Sequence, residues 1–217
     1  MNDPGSCYMC DLPSTGREHV PPQCFFPKAK DLGSGTDLRK NLDTVPSCDL
    51  HNLKKSKDDQ YFLNVVAGLE LINEVGRNHY QNQIRRQNKR NPSIITRFRD
   101  RANEEAGRLV HEIEIQRLDR FFEQFARAMF YLHYSKKWLG DVGWFPEFLA
   151  RPTATMEEAQ RQNLIRENDC SFEKRPFFGE NPSVFRYQVL ELNEGVRMRV
   201  SFYGGCKALL VYDATGD

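Results

Sequence analysis

What the 217-residue sequence lacks narrows it first. No uninterrupted apolar stretch approaches the roughly 20 residues that a bilayer-crossing helix needs, so no membrane span is expected. Met1–Gly5 is polar and no apolar run follows it, so no export signal is expected either. Charge of one sign is missing as well. The 31 Lys and Arg stand against 30 Asp and Glu, a net of +1, so a nucleic-acid-binding surface would have to be local. The glycines of Gly33-Ser34-Gly35 show no phosphate-loop pattern and read as a plain loop. Cysteine is scarce, six in all, and its pattern without an export signal fits metal ligation in a reducing cytoplasm. An apolar share of 39% is enough for one domain or two small ones.

Against these absences stands one constellation. Cys7 and Cys10 form a Cys-x2-Cys pair, and Cys48 and His51 a Cys-x2-His pair far downstream, which is the spacing of a four-ligand structural zinc site. Between the pairs lies Glu18-His19, a carboxylate beside an imidazole, followed by Val20-Pro21-Pro22, a sequence that favours a stiff extended segment. Asn41 follows in Arg39-Lys40-Asn41-Leu42, and Asn52 comes directly after His51, with Lys54, Lys55, Ser56 and Lys57 behind it.

That order resembles the HNH endonuclease family over residues 7 to 63, about a quarter of the chain. The resemblance implies a ββα-metal fold stapled by structural zinc at Cys7, Cys10, Cys48 and His51. It implies His19 as general base, Glu18 and Asn52 as ligands of a catalytic magnesium or manganese ion, and Asn41 as a brace for the histidine loop. Glutamate departs from the commoner aspartate or histidine at its position. A competing register would make His51 catalytic and recruit Cys24 to the zinc. It is disfavoured because Cys24 lies between Pro22 and Phe25-Phe26 and belongs to no pair. The activity implied is metal-dependent DNA hydrolysis leaving 5′-phosphate and 3′-hydroxyl ends, with RNA open as the other polymer. The alternatives are a zinc-stabilised nucleic-acid-binding or assembly protein without activity, and a nuclease effector of a defence or toxin system.

The expected fold is α+β: the N-terminal module, then helices, then a C-terminal antiparallel sheet. Strands are expected near Arg17–Val20 and Asn41–Val45, and a short helix from Cys48 or Asp49. A helix over Asp58–Asn78, with a Ser56/Asp59 capping pattern at its start, follows from the spacing of Phe62, Val65, Val66, Leu69, Ile72 and Val75. Three segments result: 1–78, a basic linker over 79–100, and 101–217, through which a second copy or a partner protein would bind. The stretch from Arg77 to Arg101 is strongly basic and contains a single acid, Asp100; Asn91-Pro92 reads as a helix break. Phosphate contacts are expected from Arg39, Lys40, Lys54, Lys55, Arg85, Arg86, Lys89 and Arg90. Further on, Leu118, Phe121, Phe122, Phe125, Met129 and Leu132 form a helical core stripe, and Trp138–Phe148 reads as a docked loop. Strands are expected over Phe185–Leu192, Arg197–Tyr203 and Ala208–Tyr212. Cys24, Cys170 and Cys206 read as packing thiols, and His79, His111 and His133 as structural or surface residues.

Overall fold

Two short strands open the fold, β1 (Gly16–His19) and β2 (Thr44–Ser47), paired antiparallel with Glu18 opposite Val45 and His19 opposite Thr44. The short helix α1 (Asp49–Leu53) follows directly. The computed structural model describes residues 5–32, 35–53, 55–69, 71–90, 92, 96, 102–105, 108–111, 113–149 and 156–213. Expectations for Gly33, Ser34, Lys54, Asn91, Arg97, Arg99 and Arg101 lie outside the described residues.

The single helix expected over Asp58–Asn78 is two. α2 (Ser56–Ala67) stops at Gly68, whose N–H turns back onto the Asn64 and Val65 carbonyls. α3 (Glu74–His79) starts afresh, with the Asn73 side chain accepting from the Gly76 N–H at 3.0 Å, and runs through a π-helical turn (Tyr80–Ile84) into α4 (Arg85–Arg90). Tertiary docking explains the break. Ile72 is buried, and a Cβ on Gly205 would lie 2.0 Å from the Leu71 carbonyl oxygen, so another backbone packs against this turn. Nor does Ser56 cap α2: it is already helical, and Asp58 in that first turn accepts from Arg117 at 2.7 Å and Arg120 at 2.9 Å.

A hairpin of β3 (Ala102–Glu105) and β4 (Arg108–His111) precedes the long helix α5 (Ile115–Tyr134), on which Leu118, Phe121, Phe122, Phe125 and Met129 are buried as their spacing predicts. The aromatic segment read as a docked loop contains a strand, β5 (Val142–Pro146). After it come α6 (Met156–Phe172), β6 (Phe185–Leu192), β7 (Gly195–Phe202) and β8 (Cys206–Asp213). The antiparallel sheet has the order β5-β8-β7-β6, so β5 supplies one edge. The fold is therefore α+β.

Phe62 on α2 stands at the centre of the core. Its ring lies 5.6 Å from Phe25, 4.4 Å from Phe121, 5.0 Å from Phe122 and 5.4 Å from Phe202. One buried apolar cluster extends from Cys7 and Tyr8 to Tyr212, so the cysteine-bearing segment and the C-terminal sheet share a core. Each buried phenylalanine contributes about 2–3 kcal/mol to that union. No helix among the described residues is long and apolar enough to cross a membrane.

Candidate functional site

The first cysteine pair sits on a tight loop closed by the Cys7 N–H on the Leu12 carbonyl at 2.9 Å and moored to β2 by the Tyr8 N–H on the Pro46 carbonyl at 2.8 Å. The second pair brackets the first turn of α1, where the N–H groups of His51 and Asn52 both bond the Cys48 carbonyl. The ligand atoms of Cys7, Cys10, Cys48 and His51 all lie within 4.8 Å of one another. Cys10 Sγ is 3.8 Å from Cys48 Sγ, and His51 Nδ1 is 3.5, 3.5 and 3.3 Å from the sulfurs of Cys7, Cys10 and Cys48. A tetrahedron with zinc–sulfur bonds of about 2.3 Å and a zinc–nitrogen bond of about 2.0 Å has edges of about 3.8 and 3.5 Å. The four residues fit a structural zinc ion, bound through His51 Nδ1. Burial raises the Cys48 thiol pKa, but hydrogen bonding from the His51 amide and from Cys7 and Cys10 outweighs it and leaves the thiol below its ordinary value, whereas burial, with Cys48 and Cys7, raises that of Cys10. Cys24 is not part of this group. It lies elsewhere, its thiol pushed far up by burial and by Asp59.

β1 carries Glu18 and His19 to opposite faces, as the period of a strand requires. Glu18 points inward and is 3% exposed. Its carboxylate accepts from the Tyr8 hydroxyl at 3.3 Å, the Ser47 hydroxyl at 3.4 Å and the Lys55 ammonium, which lies 4.0 Å from Asp59 on its other side. Asp59 is itself buried. Desolvation raises its pKa to about 7, with Glu18 and Asp58 adding to the rise and Lys55 opposing it. His19 is half-buried, and its pKa is lowered by desolvation and by the nearby charges of Lys55 and Arg39, while Glu18 pulls the other way. Its imidazole is therefore neutral near pH 7.

Asn52 stands half-buried on α1, one residue beyond His51 of the cysteine–histidine cluster. Asn41 is not in the second strand, as expected, but in the turn before it, with a left-handed φ of 56° that asparagine tolerates. There it borders a small cavity with Val20, Pro21 and Phe26, beside the segment that follows His19.

Three of the residues expected to hold phosphate are engaged within the protein. Arg39 is half-buried and gives its Nε–H to the Phe26 carbonyl at 2.8 Å, and Lys55 is paired with Glu18. Arg86 bonds Asp31 at 2.7 Å with half of its side chain exposed. Lys40, Arg85, Lys89 and Arg90 are exposed. Cys170 is exposed rather than a packing thiol, whereas Cys206 is buried.

The enclosure of Glu18 by Tyr8, Ser47, Lys55 and Asp59 escaped the sequence reading. The four-residue step from Lys55 to Asp59 was the one local signal for it. His79 is structural: it is 1% exposed and its Nδ1 meets the Tyr203 hydroxyl at 2.7 Å. Compared with known protein families, curated proteins and solved structures, the chain finds no match.

Proposed function

We propose that residues 7–63 form a zinc-stapled ββα module of the HNH kind that engages nucleic acid, with the zinc structural. The near-tetrahedral meeting of Cys7, Cys10, Cys48 and His51, joined to the strand–strand–helix order, supports this reading. Four protein ligands leave the zinc no open position for a substrate, so its work is to hold the strands and α1 together. Phosphate contacts fall to Lys40, Arg85, Lys89 and Arg90, whose exposed charges concentrate in a chain of nearly neutral total charge. Residues 101–217 are the surface for a second copy or a partner protein.

Hydrolysis is the second reading, and one observation favours it: a half-buried, neutral His19 at the end of β1, able to accept a proton from water. In the HNH pattern Glu18 and Asn52 would hold magnesium or manganese, which supplies a Lewis acid for the phosphate. Glu18 does not fit that role as it stands, because its carboxylate is enclosed and paired with Lys55. His19 is accordingly the residue on which the hydrolytic reading depends.

One experiment separates the two. Zinc-loaded protein is mixed with supercoiled plasmid in magnesium, manganese or EDTA, and binding is followed across salt concentrations. Salt-dependent binding without nicking supports the binding module. Nicking that disappears in His19→Ala, with zinc content and affinity retained, supports the nuclease. Absence of salt-dependent binding overturns both.

A further inference from the structure

The turn between β7 and β8 reaches the Gln23–Phe25 turn, whose last residue lies six beyond His19. Tyr203 is 1% exposed and takes a left-handed φ of 47°. Its backbone is pinned on both sides, with its N–H on the Val184 carbonyl at 2.8 Å and its carbonyl accepting from Asn73 N–H at 2.9 Å. The fit around its ring is close: a Cβ on Gly76 would stand 2.8 Å from the ring carbon Cγ. The hydroxyl donates to the Phe25 carbonyl. A tyrosine hydroxyl has one proton, so its 2.7 Å contact with His79 must be donated by His79 Nδ1–H. Burial lowers the His79 pKa to about 4, so the ring is the neutral Nδ1–H tautomer, and its Nε2 has no partner among the described residues. The next carbonyl along, that of Phe26, is held by Arg39 at 2.8 Å.

Phe25 and Phe26 follow His19 by six and seven residues, and Pro21 and Pro22, with their fixed φ, stiffen part of the link between the carbonyl clamp and His19. Phe25 also packs on Phe202, the last residue of β7, 4.9 Å between ring centroids, so the end of β7 and the turn after it hold Phe25 by side chain and by backbone. We propose that Tyr203, oriented by His79, is a positioning residue for His19, so that the C-terminal sheet is a working part of the N-terminal site. This rests on the hydrolytic reading for its kinetic consequence, but its structural consequence stands without it.

The test uses the full zinc-loaded chain. Tyr203→Phe removes one hydroxyl and leaves the ring against Gly76. It should move the imidazole and backbone amide NMR signals of His19, and lower the nicking rate at saturating plasmid by about 10-fold or more with KM unchanged within about twofold, as misplacement of a reacting group does. His79→Leu should reproduce both effects. His79→Asn, whose side-chain N–H stands close to the place of Nδ1–H, should restore much of the wild-type behaviour. Unmoved His19 signals in both Tyr203→Phe and His79→Leu would overturn the proposal. If the wild-type protein does not nick at all, the hydrolytic reading fails by itself, and the His19 signals in Tyr203→Phe still decide the clamp.

Discussion

Replacing Asp59 by asparagine should make the protein more stable, and only above a particular pH. Asp59 is buried near Glu18, and Lys55 contacts both carboxylates. Burial first, then Glu18 and Asp58, lift its pKa from 3.8 to about 7 against the pull of Lys55. Between these values the native state holds a proton that the unfolded chain has released. Stability therefore falls as pH rises through that window, and the loss is complete above about 7. A difference of about three pKa units corresponds to about 4 kcal/mol, an upper bound for what ionising Asp59 costs. Asp59→Asn keeps the volume and removes the charge. At pH 8 it should gain about 2–4 kcal/mol, or about 4–16 °C in Tm at this chain length. At pH 4, where the wild-type carboxyl is protonated, the gain should vanish. Urea denaturation of both proteins at several pH values in zinc-containing buffer measures the difference, and zinc-ligand titration cancels between them. An asparagine variant that is less stable at pH 8 would refute the reasoning, because it would mean that the Lys55 contact outweighs desolvation. A stabilising result would also show that the second carboxylate beside Lys55 is there for something other than stability.

Cys48→Ser should lose zinc and, because Cys7, Tyr8 and Phe25 belong to the same buried cluster as the C-terminal sheet, should destabilise the whole chain in one transition, seen by calorimetry. Two separate transitions would contradict a shared core. Gly205→Ala should cost more than about 2 kcal/mol in chemical denaturation, since its Cβ would enter the Leu71 carbonyl, and an unchanged midpoint would mean the turn is not docked there. Neutralising Arg85, Lys89 and Arg90 together should reduce the salt slope of duplex DNA binding by about 0.9 for each phosphate that is no longer neutralised. Arg86, already on Asp31, should contribute less; an unchanged slope would assign these residues to solubility.

The cluster of Cys7, Cys10, Cys48 and His51 was legible because a four-coordinate metal site imposes short, fixed ligand spacings on the chain, and the two pairs stand out without any tertiary information. The C-terminal hairpins and the stripe from Leu118 to Met129 were legible for a similar reason: period two and period 3.6 are local properties. The end of α2 at Gly68 was hidden. Leu69, Ile72 and Val75 continue the helical spacing, and what stops the helix is the backbone of Gly205, distant in sequence. β5 was masked by its aromatic and glycine content, and α6 lacks an apolar face with a helical period. The partners of Glu18 come from the first cysteine loop, β2 and the residue before α2, and the Tyr203–His79 pair spans 124 residues. No local pattern reports contacts of that kind.

X-ray absorption at the zinc edge, on protein purified without chelator, tests the central claim most directly. The account predicts one zinc per chain with a shell of three sulfurs at about 2.3 Å and one nitrogen at about 2.0 Å, losing a sulfur or the metal itself in Cys10→Ser. Protein that carries no zinc, or a zinc shell dominated by oxygen, would contradict it.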